Sequence, residues 1–158
     1  DIANLPGTPQ PADFVCQRGN SSSLTTWVNA LSPSVSVRPN AGQNGSSRVT
    51  LIWSDNAIQK TWLRVQIQAS SRTGLAQPYV FYFGNAIGEV GDSPTNAAVT
   101  ALDQLLIRNN PLASSAPIVN RYDINRDRAV NALDVMLARA HATSGTTALQ
   151  LITAPSTP

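Results

Sequence analysis

The stretch Asp123-Ile124-Asn125-Arg126-Asp127-Arg128-Ala129-Val130-Asn131-Ala132-Leu133-Asp134 decides how the second half of this chain is read. Its side chains offer oxygen at loop positions one, three, five, nine and twelve, the spacing with which a twelve-residue loop wraps Ca²⁺. Such a hard cation takes six or more oxygens; alternate residues of a curled loop converge on it, and the carbonyl at position seven supplies another. The candidate ligands are therefore Asp123, Asn125, Asp127, Ala129, Asn131 and Asp134, with Val130 turned inward as the apolar anchor of the loop. Two positions depart from the pattern. Position six, where the backbone turns with φ > 0 and glycine is usual, is Arg128, at a strain cost of roughly 1 kcal/mol. Position twelve is Asp134, shorter in reach than a bidentate Glu. Arg126 and Arg128 also bring positive charge toward the ion, so the expected affinity is moderate and suits millimolar extracellular calcium.

Thirty-one residues upstream the end of this pattern recurs. Val99-Thr100-Ala101-Leu102-Asp103-Gln104-Leu105-Leu106-Ile107-Arg108 lies over Val130-Asn131-Ala132-Leu133-Asp134-Val135-Met136-Leu137-Ala138-Arg139, identical at six of ten positions. An internal repeat of this density argues for two copies of one supersecondary unit. Each copy places an Asp at the head of a short helix, where the helix dipole favours it. The apolar residues Leu102, Leu105 and Leu106, and Leu133, Met136 and Leu137, form one stripe per helix and are expected to be buried against each other or against the rest of the protein. As a loop the first copy is poorer. Counting back from Asp103 puts Asp92 at position one, Pro94 at three, Asn96 at five and Thr100 at nine, one side-chain ligand short. A longer loop starting at Asn85 and using Glu89, with an insertion before Asn96, restores the set as Asn85, Glu89, Asn96, Thr100 and Asp103. One calcium ion is thus expected in the second loop, and a second ion if the first loop takes its longer form.

Composition limits the alternatives. The chain has 158 residues, of which 13% are charged and 42% hydrophobic, as expected of a folded domain with a quiet surface. The eleven basic residues, all Arg except Lys60, are scattered without a run, so a nucleic-acid footprint is absent. Six of the nine acids lie between Glu89 and Asp134, a local concentration that suggests a cation site. The single Cys16 excludes an internal disulfide and reads as a small buried hydrophobe. No apolar run is long enough for a membrane span. With no initiator Met and no signal peptide, the chain reads as a mature product or a piece of something longer.

Residues 12 to 84 carry the signals of strands: Ala12 to Gln17, Ser34 to Arg38, Arg48 to Trp53, Trp62 to Ala69 and Tyr79 to Phe83, separated by Gly, Asn, Ser and Pro clusters. In the fourth, Leu63, Val65, Ile67 and Ala69 alternate with Arg64, Gln66 and Gln68, the pattern of a half-buried antiparallel strand. Arg48 to Trp53 and Tyr79 to Phe83 are apolar enough to be central strands, and Ala12 to Gln17 and Ser34 to Arg38 are expected outside. The resulting division is a linker over 1–11, a β-sandwich over 12–84, a calcium-loop domain over 85–145 and a C-terminal strand or tail over 146–158. With no linker between Phe83 and Asn85, sandwich and helical pair are expected to form one rigid unit.

The loop residues Tyr122-Asp123-Ile124-Asn125-Arg126-Asp127, with Val130-Asn131-Ala132-Leu133-Asp134, resemble the type I dockerin family, and the resemblance covers residues 85 to 142. It implies two calcium loops, each followed by a helix, an antiparallel helical pair that folds with calcium, and a helical face that docks a cohesin partner. The positions that carry a Ser-Thr type recognition pair in dockerins are Ala101-Leu102 and Ala132-Leu133 here. Taken with Trp27-Val28-Asn29-Ala30, Val49-Thr50-Leu51-Ile52-Trp53, Thr73-Gly74-Leu75-Ala76 and Val80 to Glu89, the chain also looks like the C-terminal module of large secreted or surface proteins of planctomycete-type bacteria. The implied fold is mainly β plus α: an N-terminal antiparallel β-sandwich, Ig-like or jelly-roll-like, packed on a dockerin-like pair of calcium loop-helix units.

The function that follows is a non-catalytic, extracellular or cell-surface, calcium-binding module for surface attachment or assembly, with a protein partner or its own kind. An enzyme is disfavoured: His141 and Cys16 are the nucleophile-type candidates, without a Gly-rich nucleophile turn. The alternative is a carbohydrate-binding sandwich, an accessory module of a larger secreted enzyme, in which Trp62 would present an aromatic platform to a glycan.

Overall fold

A computed structural model describes residues 1–154. The tail residues 155–158 lie outside the described residues. The chain divides into two compact units, one made of Asp1–Ile58 and Trp62–Phe83, the other of Gln59–Thr61 and Gly84–Thr153. Antiparallel sheets come first and two helices follow, a β plus α fold. No helix of the described residues is long and apolar enough to cross a membrane.

Among the described residues six strands fall wholly or mainly in the first unit: β1 (Phe14–Gly19), β2 (Val28–Asn29), β3 (Ser34–Arg38), β4 (Arg48–Ile52), β5 (Thr61–Ile67) and β6 (Tyr79–Asn85). They form a four-stranded sheet in the order β2-β1-β5-β6 and a two-stranded sheet of β3 and β4. In the β1–β5 ladder Cys16 stands opposite Val65 and Phe14 opposite Ile67. The inward residues Phe14, Cys16, Leu63 and Val65 form one buried cluster, against which Val35, Val49 and Leu51 of the smaller sheet pack. Two sheets thus share one core, built from alternate residues of β1, β4 and β5 with Val35 of β3 and Phe81 of β6. Burial keeps the lone Cys16 thiol protonated, with its pKa raised.

Strand positions in the sheets differ from the sequence expectation. β1, expected outside, is interior, between β2 and β5, whereas β6, expected to be central, is the last strand of its sheet. Apolar content misleads here because the aromatic residues of β6 stack on one another rather than being covered on both faces. Phe81 meets Phe83 edge-on at 5.2 Å and Tyr79 at 6.2 Å, while Tyr79 and Phe83 stay exposed. At the other end of the sheet Gly19 lets the Trp27 ring lie directly on β1; a Cβ there would come within 2.4 Å of the ring.

Residues 1–11, a linker by composition, are held along this unit. Ile2 and Ser47 exchange backbone hydrogen bonds of 2.9 and 3.0 Å, and Arg48 donates from Nε and Nη2 to the Asp1 carboxylate at 2.9 and 3.0 Å. Gln10 N–H donates to Asp13 at 2.8 Å. Asp13 is 2% exposed and accepts from Arg72 Nε and Nη2 at 2.7 and 2.8 Å and from Ser70 Oγ at 2.9 Å. This paired carboxylate fixes the loop between β5 and β6, and Arg72 holds its pKa down at about 2.

The second unit is the helical pair α1 (Ala101–Asn109) and α2 (Ala132–Ala140), packed on each other around Val90, Val99, Ile107, Val130 and Ala138. The repeat is legible in this core: Val99 and Val130 are equivalent, as are Ile107 and Ala138. Gly88, at φ 92°, lets the chain pass 2.7 Å from Ala138 Cα measured from the position a Cβ would take. Segments on either side tie the pair down: Leu112 and Val130 exchange backbone bonds, and Ala97 bridges Leu149.

The apolar stripes are a correction. Leu102 and Leu105 are 48% and 49% exposed and Leu133 and Met136 are 54% and 65% exposed, with Leu106 and Leu137 half-buried. The reason is the Asp at the third position of each helix. Asp103 and Asp134 are fully buried because they face their loops. At 100° per residue that direction carries Ile107 and Ala138 inward and turns the residues preceding each Asp out to solvent.

Candidate metal centres

Both helices begin with a capping box. Asn131 Oδ1 accepts from Leu133 N–H at 2.8 Å while Asp134 Oδ2 accepts from Asn131 N–H at 2.9 Å. In α1 the same roles fall to Thr100, which accepts from Leu102 N–H at 3.1 Å, and Asp103, which accepts from Thr100 N–H at 2.7 Å. These reciprocal bonds satisfy the free amides of the first turn. The second carboxylate oxygen of each Asp reaches back across its loop. Asp134 Oδ1 takes the amides of Ile124 at 2.7 Å and Asn125 at 3.3 Å, and Asp103 Oδ1 takes the amide of Val90 at 3.0 Å.

That shared bond aligns the copies better than residue identity does. Val90 is the equivalent of Ile124, yet it lies thirteen residues before its Asp where Ile124 lies ten before. The first loop is therefore longer by three residues. Downstream the offset returns to that of the repeat, since Ala98 N–H bonds Asn96 Oδ1 at 3.0 Å as Ala129 N–H bonds Asp127 Oδ1 at 2.9 Å. The extra residues stand before Asn96, and Glu89 takes the place of Asp123 at the loop head.

In the second loop Asp123 is 1% exposed; its Oδ2 accepts from Arg128 N–H at 3.0 Å, and its Oδ1 is buried without a hydrogen-bond partner. Asn125 and Asp127 are exposed and bond each other, Nδ2 to Oδ2 at 2.8 Å and Asp127 N–H to Asn125 Oδ1 at 3.1 Å. Arg128 adopts φ 73°, the left-handed turn expected at position six, and Arg126 adopts φ 61°. The Arg126 guanidinium is spent on backbone, donating to Ile118 O at 3.0 Å and to Asn120 O. Replacing Arg128 by Gly relieves the left-handed strain, so Arg128→Gly is expected to raise stability by up to about 1 kcal/mol in a chemical unfolding series. An unchanged or lowered midpoint would show that the arginine side chain offsets the cost of its backbone.

The first loop gathers carboxylates more tightly. One oxygen from each of Glu89, Asp92 and Asp103 lies within 4.8 Å of the other two. Among the described residues this is the group of three acids drawn so close; the second loop spreads Asp123, Asp127 and Asp134 along its turn. Asp92, which the longer-loop ligand set does not include, belongs to this group, and its 31-residue spacing to Asp123 marks it in the sequence. Its Oδ1 is buried without a partner, and so is Asn85 Oδ1. Asn96 and Thr100 are engaged locally, Asn96 with Ser93 and Ala98 and Thr100 in the helix cap.

Among the described residues the buried side-chain oxygens that accept no hydrogen bond are those of Asn85, Asp92 and Asp123, all in or beside these two loops. Burying an unpaired carboxylate oxygen is costly, and buried carboxylates are ordinarily paired or bound to a metal. The donor set therefore fits a hard, oxygen-seeking cation. Residues 90–141 match the family model of the Dockerin type I domain. Comparison with curated proteins and with solved structures finds no match. The match covers about a third of the chain and makes this part dockerin-like. A dockerin domain is a non-catalytic protein-interaction module that binds calcium. Outside the dockerin-like part, Trp27 is buried and Trp53 and Trp62 are half-buried.

Proposed function

We propose that the dockerin-like part of this chain, taken as residues 85–145, is an extracellular docking module whose two loops are set by calcium and whose helices present the surface that binds a protein partner. The observation that carries this reading is the pairing of a buried, unsatisfied carboxylate oxygen with a buried helix-capping Asp in each loop: Asp123 with Asp134, and Asp92 with Asp103. In the second loop the ion would be held by Asp123, Asn125, Asp127, the Ala129 carbonyl, Asn131 and Asp134. In the first, Glu89, Asp92 and Asp103 would form the core of the site, with Asn85 beside it. The ion supplies positive charge that those oxygens otherwise lack. Everything else is the work of the chain: the capping boxes orient each Asp, and the orientation of each Asp decides which face of each helix is exposed. Dockerin modules belong to extracellular or cell-surface proteins, which supports the same placement here and suits loops of moderate affinity.

The exposed apolar residues support the docking half of the proposal. Ala101, Leu102 and Leu105 on α1 and Ala132, Leu133 and Met136 on α2 are equivalent sets, open to solvent although hydrophobic. The recognition positions implied by the dockerin resemblance fall within them. A cohesin-type partner would meet small and branched apolar side chains there, in place of hydroxyls, so its complementary surface would be apolar. Calorimetric titration of metal-stripped protein with Ca²⁺ tests the metal half; absence of saturable heat at millimolar calcium would defeat it. For the docking half, Leu133→Glu with Met136→Glu and Leu102→Glu with Leu105→Glu are expected to leave calcium binding intact. Combined, they should weaken a cohesin-type partner at least about a hundredfold, a few kcal/mol at a desolvated apolar anchor. Retained partner binding by the fourfold variant would move the docking surface elsewhere.

A further inference from the structure

Arg121 stands two residues before Asp123, the head of the second loop, yet its side chain serves the first. Its Nη1 donates to the Val90 carbonyl at 3.2 Å, while the Val90 N–H closes the first loop onto Asp103. Both polar backbone groups of Val90 are thus engaged, one by its own repeat and one by the other. Gly91 makes the room. It turns with φ 81°, and a Cβ built there would stand 2.8 Å from the same Nη1. Because Gly91 N–H also donates to Glu89 Oε1 at 2.6 Å, the guanidinium rests on the short stretch that joins Glu89 to Asp92.

The backbone that carries Arg121 is held by the second loop. Arg126, between the candidate ligands Asn125 and Asp127, donates to the carbonyls of Ile118 and Asn120, and Asn120 Oδ1 accepts from Tyr122 N–H at 2.9 Å. Tyr122 and Ile124, on either side of Asp123, pack on the core that contains Val90. A continuous set of bonds therefore runs from Arg126 through residues 118–122 to Val90 and Asp103. The repeat does not duplicate it: with Glu89 aligned on Asp123, the counterpart of Arg121 is Ile87, whose side chain has no donor. The link reaches one way, from the second repeat to the first.

We propose that Arg121 is a positioning residue that couples the two loops, so that calcium in either one raises the affinity of the other. The proposal rests on the reading of both loops as calcium sites and adds the connection between them. An ion drawing Asp123 and Asp127 together orders the chain from Ile118 onward, and with it the backbone of Arg121. The guanidinium then steadies Val90 over Asp103, and the first loop has less left to order when its own ion arrives. Coupling of binding free energies is reciprocal, so the gain is the same whichever loop fills first.

The test titrates the whole metal-stripped chain with Ca²⁺ and follows by NMR the amides of Val90 and Ile124, which report the first and second loops separately. Asp123→Ala gives the affinity of the first loop by itself and Asp92→Ala that of the second. The product of the two affinities in the parent protein is expected to exceed the product of these single-loop values at least about fivefold. Arg121→Ala, and Arg121→Met, which keeps the apolar stem, should bring that factor to within about twofold of unity and leave each single-loop affinity unchanged. Equal products in the parent protein would overturn the proposal, as would coupling that survives both Arg121 variants, which would assign it to the shared core. A fall in each single-loop affinity on replacing Arg121 would also overturn it and reduce the bond to a structural one. Amides that do not respond to millimolar calcium in either loop would defeat the calcium reading itself, and the coupling with it.

Discussion

Metal-stripped protein should gain stability when about 1 mM Ca²⁺ is added, and Asp123→Ala and Asp134→Ala should each remove the gain for the second loop. An ion that binds the folded state alone stabilises it by mass action, roughly 2.7 kcal/mol at a hundredfold excess over its dissociation constant. The two variants differ without calcium. Asp134 accepts the amides of Ile124, Asn125 and Asn131, so its loss strips both the loop closure and the cap of α2, and a destabilisation of about 2–3 kcal/mol is expected before any metal is considered. Asp123 accepts one amide, from Arg128, and leaves its other oxygen free. Asp123→Ala should therefore cost little in stripped protein and most of its effect should appear with calcium. Asp92→Ala separates the loops in the same way, since its free oxygen belongs to the first. Calorimetry on the four proteins reads all of this. No calcium-dependent shift in the parent protein would reduce both loops to capped helical turns.

The second large effect lies in the other unit. Asp13→Ala should destabilise it by about 2–3 kcal/mol, below the range for a fully buried ion pair because the Arg72 side chain is 44% exposed. The same carboxylate gives a pH signature. The pKa of Asp13 in the folded protein is about 2, below its ordinary 3.8, chiefly through the hydrogen bond from Arg72. A depressed folded pKa stabilises where the carboxylate is charged in both states, above about pH 4, and the contribution is lost as pH falls through about 2. Denaturant titrations of the parent and of Asp13→Asn should therefore differ by a constant amount above pH 4 and converge toward pH 2. A difference independent of pH across that window would show that packing, not charge, holds the loop.

The sequence carried the elements well and their arrangement less well. Strands at Ser34 to Arg38 and Arg48 to Ile52 follow directly from the short apolar runs and the loop between them. Which strand is interior depends on long-range pairing, and β1 is interior because β2, a two-residue strand with little periodic signal, covers its other edge. In the second unit the repeat located both helices and both capping Asp residues. The hydrophobic stripes misled because periodicity gives the spacing of a face but not its direction, which the buried Asp103 and Asp134 set. The first loop was hard to read because its three extra residues shift the head of the loop against the tail, so identity aligns Asp92 with Asp123 while the backbone aligns Glu89 with it. The Asp13–Arg72 pair left no local trace, its partners lying 59 residues apart.

Cys16 gives this chain an internal clock. As the one thiol of the sequence it sits in the core of the first unit, opposite Val65, where burial leaves it protonated and out of reach. A thiol reagent can modify it only when that core opens, so the labelling rate counts openings of the β unit one by one. Calcium added to the loops has no direct means of altering the thiol's own chemistry. Any change it makes in the labelling rate would therefore measure how much mechanical resistance one half of the chain lends the other.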